Sequence, residues 1–322
     1  MSYFQAIVIA LVQGVTELFP VSSLGHSVLV PAWIGGSWQT LVTQSSQATS
    51  ETSFYLAYIV ALHVATALAL VWFFRADWVR VIRGFLRTIG DVVRARRLPR
   101  EDPDAQLAWL IIIATIPVGI TGLALEHAFR TVFAKPEAAS IFLFVNGLIL
   151  FAGERFRRHA SVQADAAERE VFDRARARGT GRRTAGDLAL GAASDARLAR
   201  VSVLDSLRIG LLQVAALLPG ISRSGITMVG GLWRGLSHED AARFAFLLAT
   251  PVILAAGVLK LPTLAGSAGD HIHGQVAVGV VVCGVTAYLS VRFLVRWFET
   301  RTLTPFAIYS LVVGAISIAH FA

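Results

Sequence analysis

The chain has 322 residues, of which 55% are apolar and only 16% charged, and its mean hydropathy is +0.63. This composition excludes an ordinary water-soluble domain, and apolar runs of about 18–20 residues recur, the length that crosses a ~30 Å hydrocarbon layer. The single cysteine, Cys283, excludes an internal disulfide and a cysteine metal cluster. The net charge of +8 would be compatible with nucleic-acid binding, but the positive residues are concentrated in the loops that the predicted membrane topology places on one side. We therefore predict an all-α integral membrane protein with no nucleic-acid partner.

The first predicted element is a broken apolar helix over residues 1–36. Two apolar arms, each short for a full crossing, flank a turn that contains Pro20 and His26. Irregular backbone at membrane depth is tolerated only where it is buried in protein or lines a wet cavity. We therefore predict a re-entrant helical hairpin here, followed by a polar loop over 37–53 without lysine or arginine.

The remaining apolar segments predict six transmembrane helices and a second broken hairpin. The helices are expected at residues 54–74, 107–125, 138–151, 244–261, 276–295 and 304–321, and the hairpin at 209–233. Residues 75–104 hold eight arginines and are predicted to form a solvated amphipathic connector, whereas residues 154–208 carry twelve arginines and eight acids. We interpret the latter as a hydrophilic, solvated insert.

The two broken stretches resemble each other, which indicates an internal duplication. At an offset of 200 residues the matches are Leu11/Leu211, Gln13/Gln213, Leu18/Leu218, Ser22/Ser222, Gly25/Gly225, Trp33/Trp233 and Gly35/Gly235. We predict one membrane domain made of a first repeat (1–153), a cytoplasmic insert (154–204) and a second repeat (205–322). Two opposed hairpins with three helices each form an inverted repeat, an arrangement in which half-helix ends meet near the bilayer midplane.

The distribution of arginine supports this threading. If residues 75–104 are cytoplasmic and the six helices cross alternately, 25 of the 27 arginines lie on the cytoplasmic side. The layout requires both broken stretches to be hairpins. The first hairpin then enters from outside, the second enters from inside, and both termini are external.

The two hairpin tips carry the polar residues of the candidate site. In chain order these are Gln13, Glu17, Ser22, Ser23, Gly25 and His26 in the first tip, and Ser222, Arg223, Ser224, Gly225 and Thr227 in the second. Glycines allow close backbone approach, helix N-termini bind anions, and an arginine fork matches phosphate oxygens. We therefore predict a phosphate site for a lipid-soluble molecule, with Glu17 as ligand of a divalent cation that bridges to the phosphates.

Structural alternatives stay open for single residues. Serine and threonine commonly join membrane helices by hydrogen bonds, and Glu17 has the alternative of being a structural ion-pair partner of Arg223. Gln13 and Gln213 have the alternative of clasping the two repeats together. We interpret His63 and Asn146, each within a predicted helix, as structural.

Three motifs resemble those of the bacterial undecaprenyl pyrophosphate phosphatases of the bacitracin-resistance type. A (Glu/Gln)-x-x-x-Glu motif is Gln13-Gly-Val-Thr-Glu17 here, and a Pro-x-Ser-Ser-x-Gly-His motif is Pro20-Val-Ser-Ser-Leu-Gly-His26. The third, Pro-Gly-x-Ser-Arg-Ser-Gly-x-Thr, is Pro219-Gly-Ile-Ser-Arg-Ser-Gly-Ile-Thr227. The motifs occur in the family's order, and the resemblance covers nearly the whole chain except about 157–200.

The resemblance implies that the chain removes the terminal phosphate of a C55 polyprenyl diphosphate and so recycles the carrier lipid for cell-wall synthesis. It also implies a divalent cation, Mg²⁺ or Ca²⁺, and a multi-pass protein of the bacterial inner membrane with a site open to the outer leaflet. The expected partners are the lipid diphosphate and the bilayer, and a homodimer stays open.

Two mechanisms remain at this level. In the first, Ser23 attacks the terminal phosphorus with His26 as base and later proton carrier. Arg223, the N–H groups around Gly225 and Thr227 hold the diphosphate, and Glu17 binds the cation or orients His26. The second has His26 as the nucleophile. The alternative function is a polyprenyl-phosphate flippase or transporter that uses the same pocket, because broken helices in inverted repeats are also a carrier architecture.

Overall fold

The structure, a computed structural model, describes residues 1–41, 54–95, 98–99, 102–132, 135–160, 197–198, 201–265 and 272–321. Every regular element in these ranges is helical. Most of the predicted polar loop 37–53 and most of the hydrophilic insert lie outside the described residues.

Eleven α-helices carry the fold in the described ranges. They are α1 (Tyr3–Thr16), α2 (Ser23–Ile34), α3 (Phe54–Phe73), α4 (Arg75–Ala95), α5 (Pro103–Val132), α6 (Pro136–Ala160), α7 (Val203–Leu212), α8 (Arg223–Trp233), α9 (His238–Ala265), α10 (His273–Thr300) and α11 (Thr304–Phe321). A 3₁₀-helix, Gln213–Leu217, continues α7.

Helices α5, α6, α9, α10 and α11 are long and apolar enough to cross a membrane, and a sixth crossing is counted if the bent pair α3–α4 forms one span. This confirms the prediction of an all-helical, multi-pass membrane protein. The helices extend beyond the predicted spans because hydropathy marks only the segment suited to hydrocarbon, whereas helical hydrogen bonding continues into the polar ends. Residues 154–160, predicted as part of the insert, are therefore the last turns of α6.

Both predicted breaks are present, and their second helices begin in the same way. Ser22 caps α2 and Ser222 caps α8, and each serine Oγ accepts a hydrogen bond from the backbone N–H three residues later, at 3.2 Å from Gly25 and 3.1 Å from Gly225. A serine N-cap satisfies one of the N–H groups that a helix start leaves unpaired. The serine and glycine matches at the 200-residue offset are therefore two equivalent helix caps.

Small residues let the long helices pack closely around these breaks. A Cβ added at Gly147 of α6 would lie 2.8 Å from the Leu311 backbone nitrogen of α11, and one at Gly314 would lie 2.6 Å from the Phe144 nitrogen. Such contacts between backbones are typical of membrane helices, where van der Waals packing drives association. The pair α6–α11 thereby forms a close-packed wall beside the two breaks.

Candidate active site

Glu17 lies at the centre of the buried polar site. Arg223 Nη2 donates to one carboxylate oxygen, Oε1, and Ser23 Oγ donates to the other, Oε2. Gln13 Nε2 also donates to Oε2 at 3.0 Å, and His63 Nε2 lies 3.3 Å from the same atom. The carboxylate is thus surrounded by an arginine, an imidazole, an amide and a hydroxyl.

The local structure explains why these residues meet. Gln13 and Glu17 are one helical turn apart at the end of α1 and therefore share a face. After the break at Pro20, Ser23 is the first residue of α2, and Arg223 is the first residue of α8. Both functional side chains consequently stand at helix starts, and the two breaks bring those starts together.

The two breaks touch through Ser22, Gly25 and Gly220. Ser22 Oγ accepts from the Gly220 N–H at 3.1 Å in addition to capping its own helix, and a Cβ added to Gly25 would lie 2.9 Å from the Gly220 Cα. Ser22 has φ +70°, a left-handed conformation that costs about 1–3 kcal/mol for a residue other than glycine. The predicted substrate-binding residues Ser22 and Gly25 therefore hold one break against the other.

Gly25→Ala is expected to push the breaks apart, because the new methyl group meets backbone rather than a flexible side chain. Overpacking of this kind costs about 1–3 kcal/mol of stability, and it should also separate Ser23 from Arg223. The measurement is the thermal unfolding midpoint in detergent. Gly119→Ala, with nothing within 4 Å of its added Cβ, is the matched control. An unchanged Gly25→Ala enzyme would contradict the close contact.

Asn146 of α6 joins the two breaks at a second point. Its Nδ2 donates to the Pro20 carbonyl at 3.0 Å and to Ser310 Oγ at 3.2 Å, and its Oδ1 accepts from the Ser222 N–H at 2.9 Å. The prediction of an interhelical, structural role for Asn146 is confirmed. One amide fixes the end of the first break, the start of α8 and a residue of α11.

The site opens into a cavity of about 270 Å³. Its polar end is lined by Glu17, Ser22, Ser23, His63, Gln213, Ser222 and Arg223, and its walls are formed mainly by apolar residues of α3, α9 and the segment 216–221: Ile59, Val60, Ala216, Leu217, Ile221, Val252, Ile253 and Ala256. A charged end with apolar walls suits an amphiphile whose head is anionic.

His26 does not line this cavity. Its Nδ1 donates to the Ser22 carbonyl at 2.7 Å, which leaves Nε2 as the acceptor of the Tyr309 hydroxyl at 2.8 Å. Together with Gln13 it lines a separate, smaller pocket rather than the cavity of Ser23. The predicted contacts of His26 with Ser23 and Glu17 are therefore not found among the described residues, because Tyr309 of α11 holds the imidazole on another side of α2.

Four further predicted substrate-binding residues are also absent from the lining of this cavity: Gly25, Ser224, Gly225 and Thr227. The N–H groups of both glycines donate to the capping serines, so they are not available to an anion in this arrangement. Ser224 Oγ lies 3.0 Å from Ser222 Oγ, and Thr227 is buried within α8. Gln213 Nε2 donates to the Ala114 carbonyl at 3.1 Å and so joins the two predicted repeats, as the alternative interpretation expected. Gln13 instead bonds to Glu17 within its own repeat.

His63 is the site residue that sequence reasoning missed, because it was interpreted as structural. Its Nδ1 donates to the Ile59 carbonyl at 2.8 Å, one turn earlier in α3, and this bond directs Nε2 to Glu17. With Nδ1 engaged as a donor to the Ile59 carbonyl, Nε2 faces the Glu17 carboxylate across 3.3 Å. The signal was present in the sequence, since ionisable residues within a membrane span are functional by default.

The metal-ligating side chains near Glu17 indicate which kind of cation the site would bind. Among the residues that the structure describes, no three His, Cys, Asp or Glu side chains come together to hold a metal ion. Mg²⁺ is commonly bound through one or two carboxylates plus substrate phosphates. Glu17, next to the Ser23 hydroxyl, is a carboxylate of the kind that would share such a cation with a substrate phosphate.

Fold and site together define a multi-pass helical membrane protein with a buried polar centre that lines a largely apolar cavity. Comparison with known proteins adds the family. The model of the bacitracin resistance protein BacA family matches residues 6–316, and the chain belongs to this family. The family resemblance of the three motifs is thereby confirmed.

Relatives that align over nearly their whole length are named undecaprenyl-diphosphatases. An undecaprenyl-diphosphatase 2 of Frankia alni is 57% identical over 344 residues, and the alignment covers 100% of this chain and 98% of the relative. An undecaprenyl-diphosphatase of Mycolicibacterium paratuberculosis is 53% identical with the same coverage. An undecaprenyl-diphosphatase 2 of Burkholderia lata is 40% identical, again over 100% of this chain and 98% of the relative.

Proposed function

We propose that this chain hydrolyses the terminal phosphate of undecaprenyl diphosphate, giving the monophosphate carrier lipid and inorganic phosphate for a further round of cell-wall synthesis. The observation that carries the proposal is the chain of contacts from Ser23 through Glu17 to Arg223 at the polar end of an apolar cavity. The relatives' activity and the three motifs point to the same reaction.

Ser23 is the proposed nucleophile. Its hydroxyl already donates to Glu17, so the carboxylate is placed to accept the proton as Oγ bonds to the terminal phosphorus. The bond from that phosphorus to the bridging oxygen breaks, and undecaprenyl phosphate leaves. Water then attacks the phosphorus of the phosphoserine, the bond from phosphorus to Oγ breaks, and Oγ takes back the proton held by Glu17 as phosphate is released. We prefer Ser23 to His26 as nucleophile because both nitrogens of His26 are engaged away from the cavity.

Arg223 is the proposed phosphate-binding residue. Its guanidinium has five N–H donors in a planar fork, and the contact with Glu17 uses Nη2. The remaining donors are suited to the oxygens of the transferred group, where phosphoryl transfer requires fixed positive charge. We further propose Glu17 as the protein ligand of Mg²⁺ or Ca²⁺, which would neutralise diphosphate charge when bound.

For the topology, we propose an inverted repeat in the bacterial inner membrane. The first repeat comprises residues 1–153 and the second residues 205–322, separated by a cytoplasmic insert. Two re-entrant hairpins would enter from opposite sides, with the site open to the outer leaflet and both termini external. The equivalent serine caps, the contact between the breaks and the arginine distribution support it. Impermeant labelling of cysteines placed at either terminus in intact cells tests the orientation.

The function is tested with purified protein in detergent, given undecaprenyl diphosphate and Mg²⁺. Release of inorganic phosphate in stoichiometric amount with undecaprenyl phosphate is expected. The rival function, a polyprenyl-phosphate flippase, would instead move labelled lipid across a liposome without releasing phosphate, and that result would overturn the proposal. Light scattering of the active protein distinguishes a monomer from a homodimer.

His63 is expected to hold Glu17 in position, and its replacement should lower kcat with little effect on KM. A hydrogen bond to a charged group contributes about 1.5–3 kcal/mol, or about 10- to 100-fold in rate. His63→Leu should show the full loss, and His63→Gln, which keeps a donor without the charge, should retain part of the activity. Thr66→Val, one turn later on α3 and bonded to the Leu62 carbonyl, is the control. Equal loss in the Gln and Leu variants would contradict the positioning role.

A further inference from the structure

Helix α4 turns sharply away from α3. It follows α3 after a bend of 86° between residues 57–73 and 75–94. Five of its 21 residues are arginines, which a bilayer-crossing helix does not tolerate at mid-depth. If α3 crosses the bilayer, the 86° bend sets α4 nearly parallel to the membrane surface at the end of α3.

One stripe of α4 is apolar and exposed. It consists of Val79, Ile82, Leu86, Ile89 and Val93, and each of these side chains is between 41% and 69% exposed. The spacing of three and four residues places all five on one face of the helix. An exposed row of large aliphatic side chains of this length marks an interaction surface.

The opposite face of α4 is fixed to α5. A Cβ added at Gly84 would lie 2.6 Å from the Ala105 nitrogen, and Trp109 Nε1 donates to Thr88 Oγ1 at 3.2 Å. The rings of Phe85 and Trp109 are 5.1 Å apart. The apolar stripe is therefore held in a set direction by packing on its other side.

Arginines border the stripe. Arg83, Arg87 and Arg94 are exposed and follow one another along the flank next to the apolar row. Arg87 Nη2 also donates to Asp102 at 2.6 Å. A basic row beside an apolar stripe is the pattern of helices that bury one face at the acyl-chain boundary and place arginines among phosphates.

The junction of α3 and α4 lies at the depth that this requires. Trp72, near the end of α3, is 64% exposed, and the Arg75 guanidinium lies 5.3 Å above its ring. Exposed tryptophans concentrate at the membrane–water interface, where an apolar ring meets a polar headgroup layer. The first turn of α4 therefore starts at headgroup level.

We propose that α4 is an interfacial helix that binds the anionic phospholipid surface of the bilayer, with the stripe of Val79, Ile82, Leu86, Ile89 and Val93 among the acyl chains and the arginine row against the phosphates. This interaction is separate from the phosphatase site and does not rest on the proposed reaction. The occupant is the lipid surface, because the perpendicular geometry, the tryptophan position and the charge all agree with it.

The test uses the full chain in nanodiscs, with a nitroxide on Leu86→Cys or, as matched control, on Asp91→Cys, an exposed polar position of the same helix. Cys283 is buried, so the unsubstituted chain serves as the labelling blank. Accessibility to oxygen relative to a nickel chelate should be several-fold higher at position 86 than at position 91. Similar, aqueous accessibility at both positions would overturn the proposal.

The anionic component is tested by comparing discs of phosphatidylcholine alone with discs that also contain phosphatidylglycerol. The label at position 86 should lie deeper in the anionic discs, and Arg83→Gln combined with Arg94→Gln should remove that difference, since each basic residue at a surface of this kind contributes about fivefold in affinity. If the label at position 86 lies at the same depth in both kinds of disc while all arginines are present, the role of anionic lipid is wrong.

Dipolar coupling between position 86 labels of two chains would assign the stripe to a second copy and overturn the proposal.

Discussion

Arg223→Ala is expected to lower kcat/KM for undecaprenyl diphosphate by at least about 10³-fold, because a guanidinium that stabilises a transferred phosphoryl group contributes about 10³–10⁵ in rate. The substitution also removes the arginine from the buried Glu17 carboxylate, which keeps only His63, Ser23 and Gln13 as partners, and so lowers stability by up to about 3–5 kcal/mol. Turnover is measured by phosphate release, and stability by the thermal unfolding midpoint in detergent.

Two further variants separate the catalytic from the structural effect of Arg223. Combining Arg223→Ala with Glu17→Gln removes both charges and should restore much of the unfolding midpoint while turnover stays lost. Arg223→Lys keeps the charge but loses the planar fork and should retain intermediate activity. Arg234→Ala, at the other end of α8 and paired with Asp205 at 3.1 Å, is the control. Near-native turnover of Arg223→Ala would show that the phosphate clamp is wrong.

Ser23→Ala should remove the nucleophile and reduce kcat by at least about 10³-fold, since loss of a nucleophile in well-studied hydrolases costs up to about 10⁶. The expected intermediate in the unsubstituted enzyme is a phosphoserine, trapped by acid quench in a single turnover with substrate labelled in its terminal phosphate. Peptide mass spectrometry locates the phosphate on Ser23.

Ser27→Ala is the matched control for Ser23→Ala. Ser27 lies one turn later on α2, outside the cavity, and its hydroxyl donates to the Leu24 carbonyl at 2.9 Å. It should keep nearly full turnover. A phosphoenzyme that is labile to acid and stable to base would instead indicate phosphohistidine and overturn the serine mechanism.

Much of the fold was predictable because the relevant signals are local. Long apolar runs predicted five of the crossing helices, and Pro20 and Pro219 with their serine and glycine neighbours predicted both breaks. The amphipathic connector after α3 is α4, as expected from its alternation of arginine and aliphatic residues. Helix ends were less well predicted, as the helical continuation of residues 154–160 shows, because backbone hydrogen bonding does not stop where hydropathy falls.

The candidate site was predictable in part. Glu17, Ser23 and Arg223 were expected together and do meet, because each stands at the end or the start of a helix next to a break. His26 was expected beside Glu17 but lies outside the cavity, whereas His63 was expected to be structural but contacts Glu17. Spacing along α2 placed His26 near Ser23, but Tyr309, 283 residues later in the chain, holds its ring elsewhere. The contact of His63 with Glu17 joins α3 to α1, and no local pattern encodes it.

The sequence by itself determined that the protein lies in a lipid bilayer, where its helices and two breaks fall, and which residue types form its polar centre. These features depend on hydropathy and on helix-stopping residues within a few positions of one another. Only the tertiary structure decided which polar groups share a cavity. A side chain's partner depends on how separate helices are rotated and packed against one another. Asn146 and Tyr309 fix these positions here, because their side chains form hydrogen bonds with residues far away in the chain.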